Sequence, residues 1–278
     1  MVKYLLLLFT AFIAATTFAQ VGISGVVYNA DKQPLPYANI VTLKNHAGTV
    51  TDEQGRFTLN KLSTGDTLKI SAVGYQSKLL AVKSLAGTDT IYLIKSVHQI
   101  AEVTIRPFGR DEQLGFMGYK QNASFNFTAG CQIAVFIENK LKREALIKSV
   151  LFEMKQRGNY KSNMRIRLLK VNPNALSPGE DLLDENVLIP ISDLKKNNTV
   201  DLTKYNLLLP VEGVFVVLEW VSPDVAVNPK NYTAIAGNMS SETNLVWLNV
   251  RDRHWSHGLT RSPNGNYMTP NIGLKVAY

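Results

Sequence analysis

From residue 21 to residue 105, apolar and polar positions alternate in short runs separated by turn residues. A period of two puts successive side chains on opposite faces, so such runs read as half-buried strands. The pattern predicts strands at 22–28, 37–43, 48–51, 56–59, 67–72, 77–82 and 88–93, with turns at 29–34, 52–55 and 63–66. No stretch keeps a 3.6-residue apolar period for three turns, which argues against amphipathic helices here. Seven short strands at this spacing predict a β-sandwich.

The alternation returns after residue 122, with strands expected at 131–138, 146–155, 164–171, 199–202, 213–220, 232–236, 244–250, 254–257 and 271–277. The run 213–220 (Gly-Val-Phe-Val-Val-Leu-Glu-Trp) is apolar on both faces and predicts a central strand. Arg165 and Arg167 alternate with Met164, Ile166 and Leu168, the pattern of a strand with one face in water. Residues 176–181, with Pro178 and Gly179, read as a turn leading out. The whole predicts a jelly-roll-like sandwich. Between the halves, residues 106–121 carry Pro107 and three glycines and read as a linker. The expected organisation is therefore all-β: 1–19 a signal peptide, 21–105 a seven-stranded sandwich, 106–121 a linker and 122–278 a second sandwich, the two folding separately.

The signal peptide follows from the first residues. Met1-Val2-Lys3 is a short basic start, Tyr4 to Ala15 is an almost unbroken apolar run, and Thr17-Phe18-Ala19 supplies small residues at the cleavage positions. The apolar run is shorter than the roughly 20 residues a bilayer span needs, and no other stretch comes closer. The single cysteine, Cys131, rules out an intramolecular disulfide. That absence favours an exported bacterial protein over an exported eukaryotic one. Cys131 is in phase with Ile133, Val135 and Ile137, so it is expected on a buried face and unreactive. The formal charge of +8 changes little, because the basic residues are scattered rather than gathered on one face. No nucleic-acid partner is implied.

Several short motifs occur in order along the first half. They are Ile23-Ser24-Gly25-Val26-Val27, Gln33-Pro34-Leu35-Pro36-Tyr37-Ala38-Asn39-Ile40, the run from Gly48-Thr49 through Asp52-Glu53-Gln54-Gly55 to Arg56-Phe57, and Val73-Gly74-Tyr75. This series resembles the carboxypeptidase-like regulatory domain, as found at the front of Bacteroidetes TonB-dependent receptors. The resemblance implies a transthyretin/Ig-like sandwich and a place in the cell envelope. Tyr37 departs from it, since glycine is common there. Ala101 to Ile105 resembles the extended segment that follows the domain in the receptors. The aromatic-girdled strands of a membrane barrel do not follow.

The search for chemistry finds little. His254-X-X-His257 with Asp252 is the one metal-like cluster, yet positions three apart on a strand face opposite ways and no third ligand is evident. Asp52 and Glu53 fall far short of a calcium shell. No nucleophile elbow occurs, and Glu138, Glu153 and Glu219 are the glutamates any such sandwich carries. No residue is assigned a catalytic, cofactor-binding or metal-ligating role, and the ligand-binding residues are unknown. The expected function is a non-catalytic exported envelope protein, in the periplasm or at the outer-membrane periphery, binding a protein partner or a surface glycan and linked to TonB-dependent receptor systems. The alternative is a hydrolase with its site in the second sandwich. Trp220 and Trp247 are expected in the core. Trp255, in the segment 251–257 among Arg251, Arg253, His254 and His257, is the aromatic best placed for recognition.

Overall fold

The computed structural model describes residues 21–44, 47–85, 88–96, 109–118, 120, 122–127, 129–157, 162–222, 232–241, 243–250, 254–258 and 261–278. The signal-peptide stretch 1–19 and residues Arg251, Asp252 and Arg253 lie outside them. The described chain is all-β, and none of its helices is long and apolar enough to cross a membrane.

The first module contains all seven expected strands: β1 (Val21–Tyr28), β2 (Asn39–Thr42), β3 (Gly48–Val50), β4 (Arg56–Leu62), β5 (Thr67–Ser71), β6 (Lys78–Ala81) and β7 (Thr88–Tyr92). They form two sheets, β4-β1-β7 and β3-β2-β5-β6, with β1 and β7 parallel. Alternate residues meet between the sheets, among them Ile23, Val27, Ile40, Phe57, Leu68, Ile70 and Ile91. The Asp52–Gly55 turn carries the chain from one sheet to the other. An Asp52 carboxylate oxygen accepts from the amides of Gln54 (2.9 Å) and Arg56 (2.8 Å). Gly55 takes φ +72°, and a Cβ there would lie 2.6 Å from the Val27 carbonyl oxygen.

The second module contains β8 (Asp111–Gly115), β9 (Ala123–Phe127), β10 (Cys131–Ile137), β11 (Ala145–Gln156), β12 (Asn163–Val171), β13 (Pro178–Asp181), β14 (Val187–Pro190), β15 (Asn197–Asp201), β16 (Leu208–Leu209), β17 (Val214–Val221), β18 (Thr233–Ser241), β19 (Val246–Val250), β20 (Ser256–His257), β21 (Tyr267–Pro270) and β22 (Ile272–Ala277). One sheet runs β13-β12-β17-β10-β19-β20, with β14 also on β12. The other runs β21-β18-β11-β22-β8, with β15 and β16 on β11 and β9 on β18. Met164, Ile166, Leu168, Val216 and Leu218 of the first meet Ile147, Phe152 and Leu274 of the second. As expected, β17 is central and buried along its whole length.

Three expectations need correction. Asp111–Gly115, within the stretch read as linker, is a strand hydrogen-bonded to β22. Asp111 anchors it, 3.0 Å from the Lys148 Nζ and 3.2 Å from the Lys275 Nζ. Pro178–Asp181, read as a turn, is a strand paired with the end of β12. Cys131 opens its strand and is half-buried rather than buried.

The modules pack face to face. Asn39, Val41, Lys69 and Ser71 share the outer face of the β3-β2-β5-β6 sheet, since Asn39 pairs with Ser71 and Val41 with Lys69. That face lies over the outer face of the β12-β17-β10 sheet, so four sheets stack in succession. Val41 and Val50 face Ala129, Gly130 and Ser222 across a gap of about 30 Å³. Val73 is buried in the second module's own core. Gly74 takes φ +79°, and a Cβ there would lie 2.2 Å from the Asp184 carbonyl oxygen. Only glycine permits that approach.

Candidate functional site

The outer face of the second module's first sheet carries a row of polar side chains across four strands. Arg165 (β12) pairs in register with Glu219 (β17), Glu219 with Gln132 (β10), and Gln132 with Asn249 (β19). Their exposures are 1%, 1%, 2% and 4%. The sequence places this arginine face in water. The structure instead covers it with the first module, and alternation within one segment cannot reveal a cover that comes from more than a hundred residues away.

A charge taken from water needs partners. The Arg165 guanidinium lies 3.4 Å from the Glu219 carboxylate and donates to the backbone carbonyl of Tyr37. The other Glu219 oxygen accepts from the Asn39 amide at 3.2 Å. Asn163 donates to the Tyr37 hydroxyl at 3.2 Å, and Asn186 to the Pro36 carbonyl at 3.4 Å. Tyr37 sits at φ +58°, in the left-handed region. That conformation is a physical reason for glycine at this position in the resembling domains. Here the position keeps the strained backbone and adds a phenol that reaches the second module.

Beside the sealed row lies an open cleft of about 290 Å³. One wall is β5 and the segment after it, with Lys69, Ser71 and Tyr75. The other is β12, β13 and Trp255. Arg167 is the best-defined group in it. Its Nε and NH2 donate to the two oxygens of Asp181 at 2.9 and 2.7 Å, and its NH1 donates to the Gln132 side-chain oxygen at 3.0 Å. The Arg167 and Asp181 side chains keep 15% and 16% of their surface exposed. Their pairing is bidentate, which fixes the plane of the guanidinium.

Trp255 is half-buried. It folds back onto its own sheet, against an apolar cluster of Ala134, Leu169, Phe215 and Val217, and its remaining surface lines the cleft. The ring thus both packs on its own sheet and borders the cleft. Trp220 is buried in the core, as expected, whereas Trp247 is half-buried, its ring centroid 3.8 Å from that of His257 with the two planes tilted by 34°.

The other candidates do not converge. His254 and His257 are exposed, and Asp252 lies outside the described residues. Among the described residues no three His, Cys, Asp or Glu side chains are grouped to hold a metal ion. Glu138 is paired with Lys142 at 2.7 Å, which lowers its pKa. Glu153 accepts from Asn271 at 2.8 Å in the other sheet, and Glu219 belongs to the module junction. Sequence reasoning named Trp255 but missed Lys69, Arg165, Arg167 and Asp181. One signal was present: Glu219 is the single carboxylate in an otherwise apolar central strand, and it needed a buried cation.

Fold and junction together define a two-module all-β protein with a polar cleft between its modules. Residues 23–105 match the family model of the CarboxypepD_reg-like domain, so the first module is of that kind. The chain is 27% identical over 114 residues to the TonB-dependent receptor P39 of Formosa agariphila, covering 41% of this chain and 11% of the receptor. It is 31% identical over 112 residues to the TonB-dependent receptor SusC of Bacteroides thetaiotaomicron, covering 40% of this chain and 11% of the receptor. The chain thus matches only about a tenth of either receptor's length. Among solved structures, the cysteine protease and lectin-like domains of Cwp84 from Clostridium difficile align over 84% of this chain and 46% of that one. The identity is 12% and the TM-score 0.36, too low to carry an argument.

Proposed function

We propose that this is a non-catalytic exported protein of the bacterial cell envelope that binds a ligand or partner at its module junction and works alongside a TonB-dependent receptor. The observation that carries the binding role is the cleft between the modules, where an oriented Arg167–Asp181 pair faces Lys69 and Ser71 beside the Trp255 ring. Concave sites with a few fixed polar groups and an aromatic wall are the usual form of small-ligand recognition. The receptor link is supported by the match of residues 23–105 and by the two receptor relatives. Export is supported by the leader-like residues 1–19. The two modules, 21–105 and 122–278, act in this reading as one binding unit held together by the buried Arg165–Glu219 pair.

The test is cross-linking in intact cells of the source bacterium, followed by identification of the adduct. A TonB-dependent receptor cross-linked to this chain is the expected result. Recovery of the chain from the cytoplasmic fraction, unprocessed at its N-terminus, would overturn the reading. So would clear turnover of ester, peptide or glycoside substrates by the purified protein, which would favour a hydrolase.

A further inference from the structure

We infer that a second hollow, at the end of β11, binds a phosphomonoester carried on a small polyhydroxylated body, a sugar phosphate in class. It shares no lining residue with the cleft between the modules, so the two sites stand or fall separately.

Charge is the first argument. The fold gathers here basic residues that lie apart in the sequence. The end of β11 brings Lys155, Gln156 and Arg157, and the segment before β15 brings Lys195 and Lys196. No carboxylate lines the hollow. Asp193, the acid of that segment, accepts from the Ser192 hydroxyl at 3.0 Å, and Glu153 on β11 is taken by Asn271 at 2.8 Å. Among the described residues the ammonium groups of Lys155, Lys195 and Lys196 have neither an ion pair nor a hydrogen bond. Three like charges around one concavity repel each other, and a bound anion relieves that repulsion. Walls of one sign also concentrate the opposite ion. The inference needs only these three lysines. A phosphomonoester matches them better than a carboxylate or a sulfate ester, because it carries nearly two charges at neutral pH, where each of those carries one.

The backbone that carries the lysines is fixed. The Met154 amide donates to the Lys196 carbonyl at 2.7 Å, which ties the two segments together. The Lys195 amide donates to the Asn198 side-chain oxygen, and the Asn198 side-chain nitrogen returns a bond to the Lys195 carbonyl, both at 2.8 Å. Arg157 spans the mouth and donates to the main-chain carbonyls of Leu194 (3.2 Å) and Ser192 (3.5 Å). Size is the second argument. About 420 Å³ is within the range of small-ligand sites and far more than one tetrahedral oxyanion fills, so the phosphate arrives on a larger body. Gln156 offers that body both a donor and an acceptor, the pairing a sugar hydroxyl takes.

The experiment titrates the full chain calorimetrically with glucose 6-phosphate, glucose 6-sulfate and glucose. The phosphate should bind saturably, about tenfold or more tighter than glucose and more tightly than the sulfate, and its affinity should fall as salt is raised. Lys155→Gln and Lys196→Gln should each weaken it about threefold, and Lys195→Gln with Lys196→Gln at least about tenfold. These side chains are exposed, so unchanged thermal midpoints are expected and show that the variants fold. Lys83→Gln, which removes one exposed charge from the first module, should leave the affinity as it is. Four results would each overturn the inference. These are no saturable binding of glucose 6-phosphate, sulfate as tight as phosphate, an unchanged affinity in the double variant, and an equal loss in Lys83→Gln. Co-sedimentation with phosphatidate vesicles in the absence of glucose 6-phosphate binding would move the phosphate to a lipid and overturn the sugar body. Receptor cross-linking is read separately, so it can succeed when the sugar phosphate fails.

Discussion

At the scale of single residues, Arg165 shows how cost follows from surroundings. It is buried, lies 3.4 Å from Glu219 and donates to a carbonyl of the other module. Replacing one partner of such a pair leaves the other charge buried and uncompensated, which costs about 3–5 kcal/mol. Arg165→Met should therefore lower the urea midpoint by a corresponding amount at an unchanged slope. Adding Glu219→Leu should return part of the loss, because the stranded carboxylate is gone. A single-variant loss below about 1 kcal/mol would mean that water reaches the pair. The same residue marks the limit of reading a site from sequence. An arginine alternating with apolar residues has one local interpretation, a wet face, and the residues that dry this face are Tyr37 and Asn39. Trp255 was legible because an aromatic among cations and histidines stands out in a short segment. Asp181 was hidden by Pro178-Gly179, which look like turn residues and here begin an edge strand.

At the scale of elements, strands with a clean period of two were legible, and the seven of the first module all lie where the alternation puts them. Those missed are short or at the periphery, such as β16 with two residues and β8 at a sheet edge. Their sequences are too short or too polar for a period to emerge. β8 leads to a pH prediction. Lys148 first and then Lys275 hold the Asp111 carboxyl below its ordinary value of 3.8. A depressed acid contributes stability that is present above the unfolded-state value and is lost as pH falls through the lower folded one. Amide exchange in 111–115 should thus rise on acidification below about pH 4 relative to its sheet neighbours. Asp111→Asn should abolish that extra rise, and a variant still showing it would place the cause elsewhere. The segment bearing Gly74 gives a second test. Gly74→Ala meets both a left-handed backbone and the Asp184 carbonyl, whereas Gly118→Ala, at φ +81° with open space around it, meets only the backbone term. Gly74→Ala should cost at least about 1 kcal/mol more than Gly118→Ala by thermal denaturation, since only the first must also displace a neighbour. Equal losses would mean that the Asp184 loop yields freely.

At the scale of the whole molecule, separate folding of the two modules was the natural reading of a Pro- and Gly-bearing stretch between two sandwiches. The packed junction argues for a different behaviour. A protease site inserted between residues 97 and 108 should, after cleavage, give two pieces that still co-elute on gel filtration. Buried polar networks and Val73 cross between the modules without help from the connecting chain. Introducing Arg165→Met into the cut protein should let the pieces part. Separation of the unmodified pieces at micromolar concentration would mean that the junction is weak and the connection does the holding.

The bond from Arg165 to Tyr37 has one more consequence. It is made to a main-chain oxygen, and every residue type has that oxygen. The side chain at 37 can therefore drift over evolutionary time, glycine included, without removing this contact, while the small residue at 74 cannot. A regulatory domain transplanted from another protein should thus dock here if it presents the same backbone path, an amide side chain in place of Asn39 and a glycine in place of Gly74. Such chimaeras would exchange the front of the molecule and leave its sandwich, and half of its cleft, untouched.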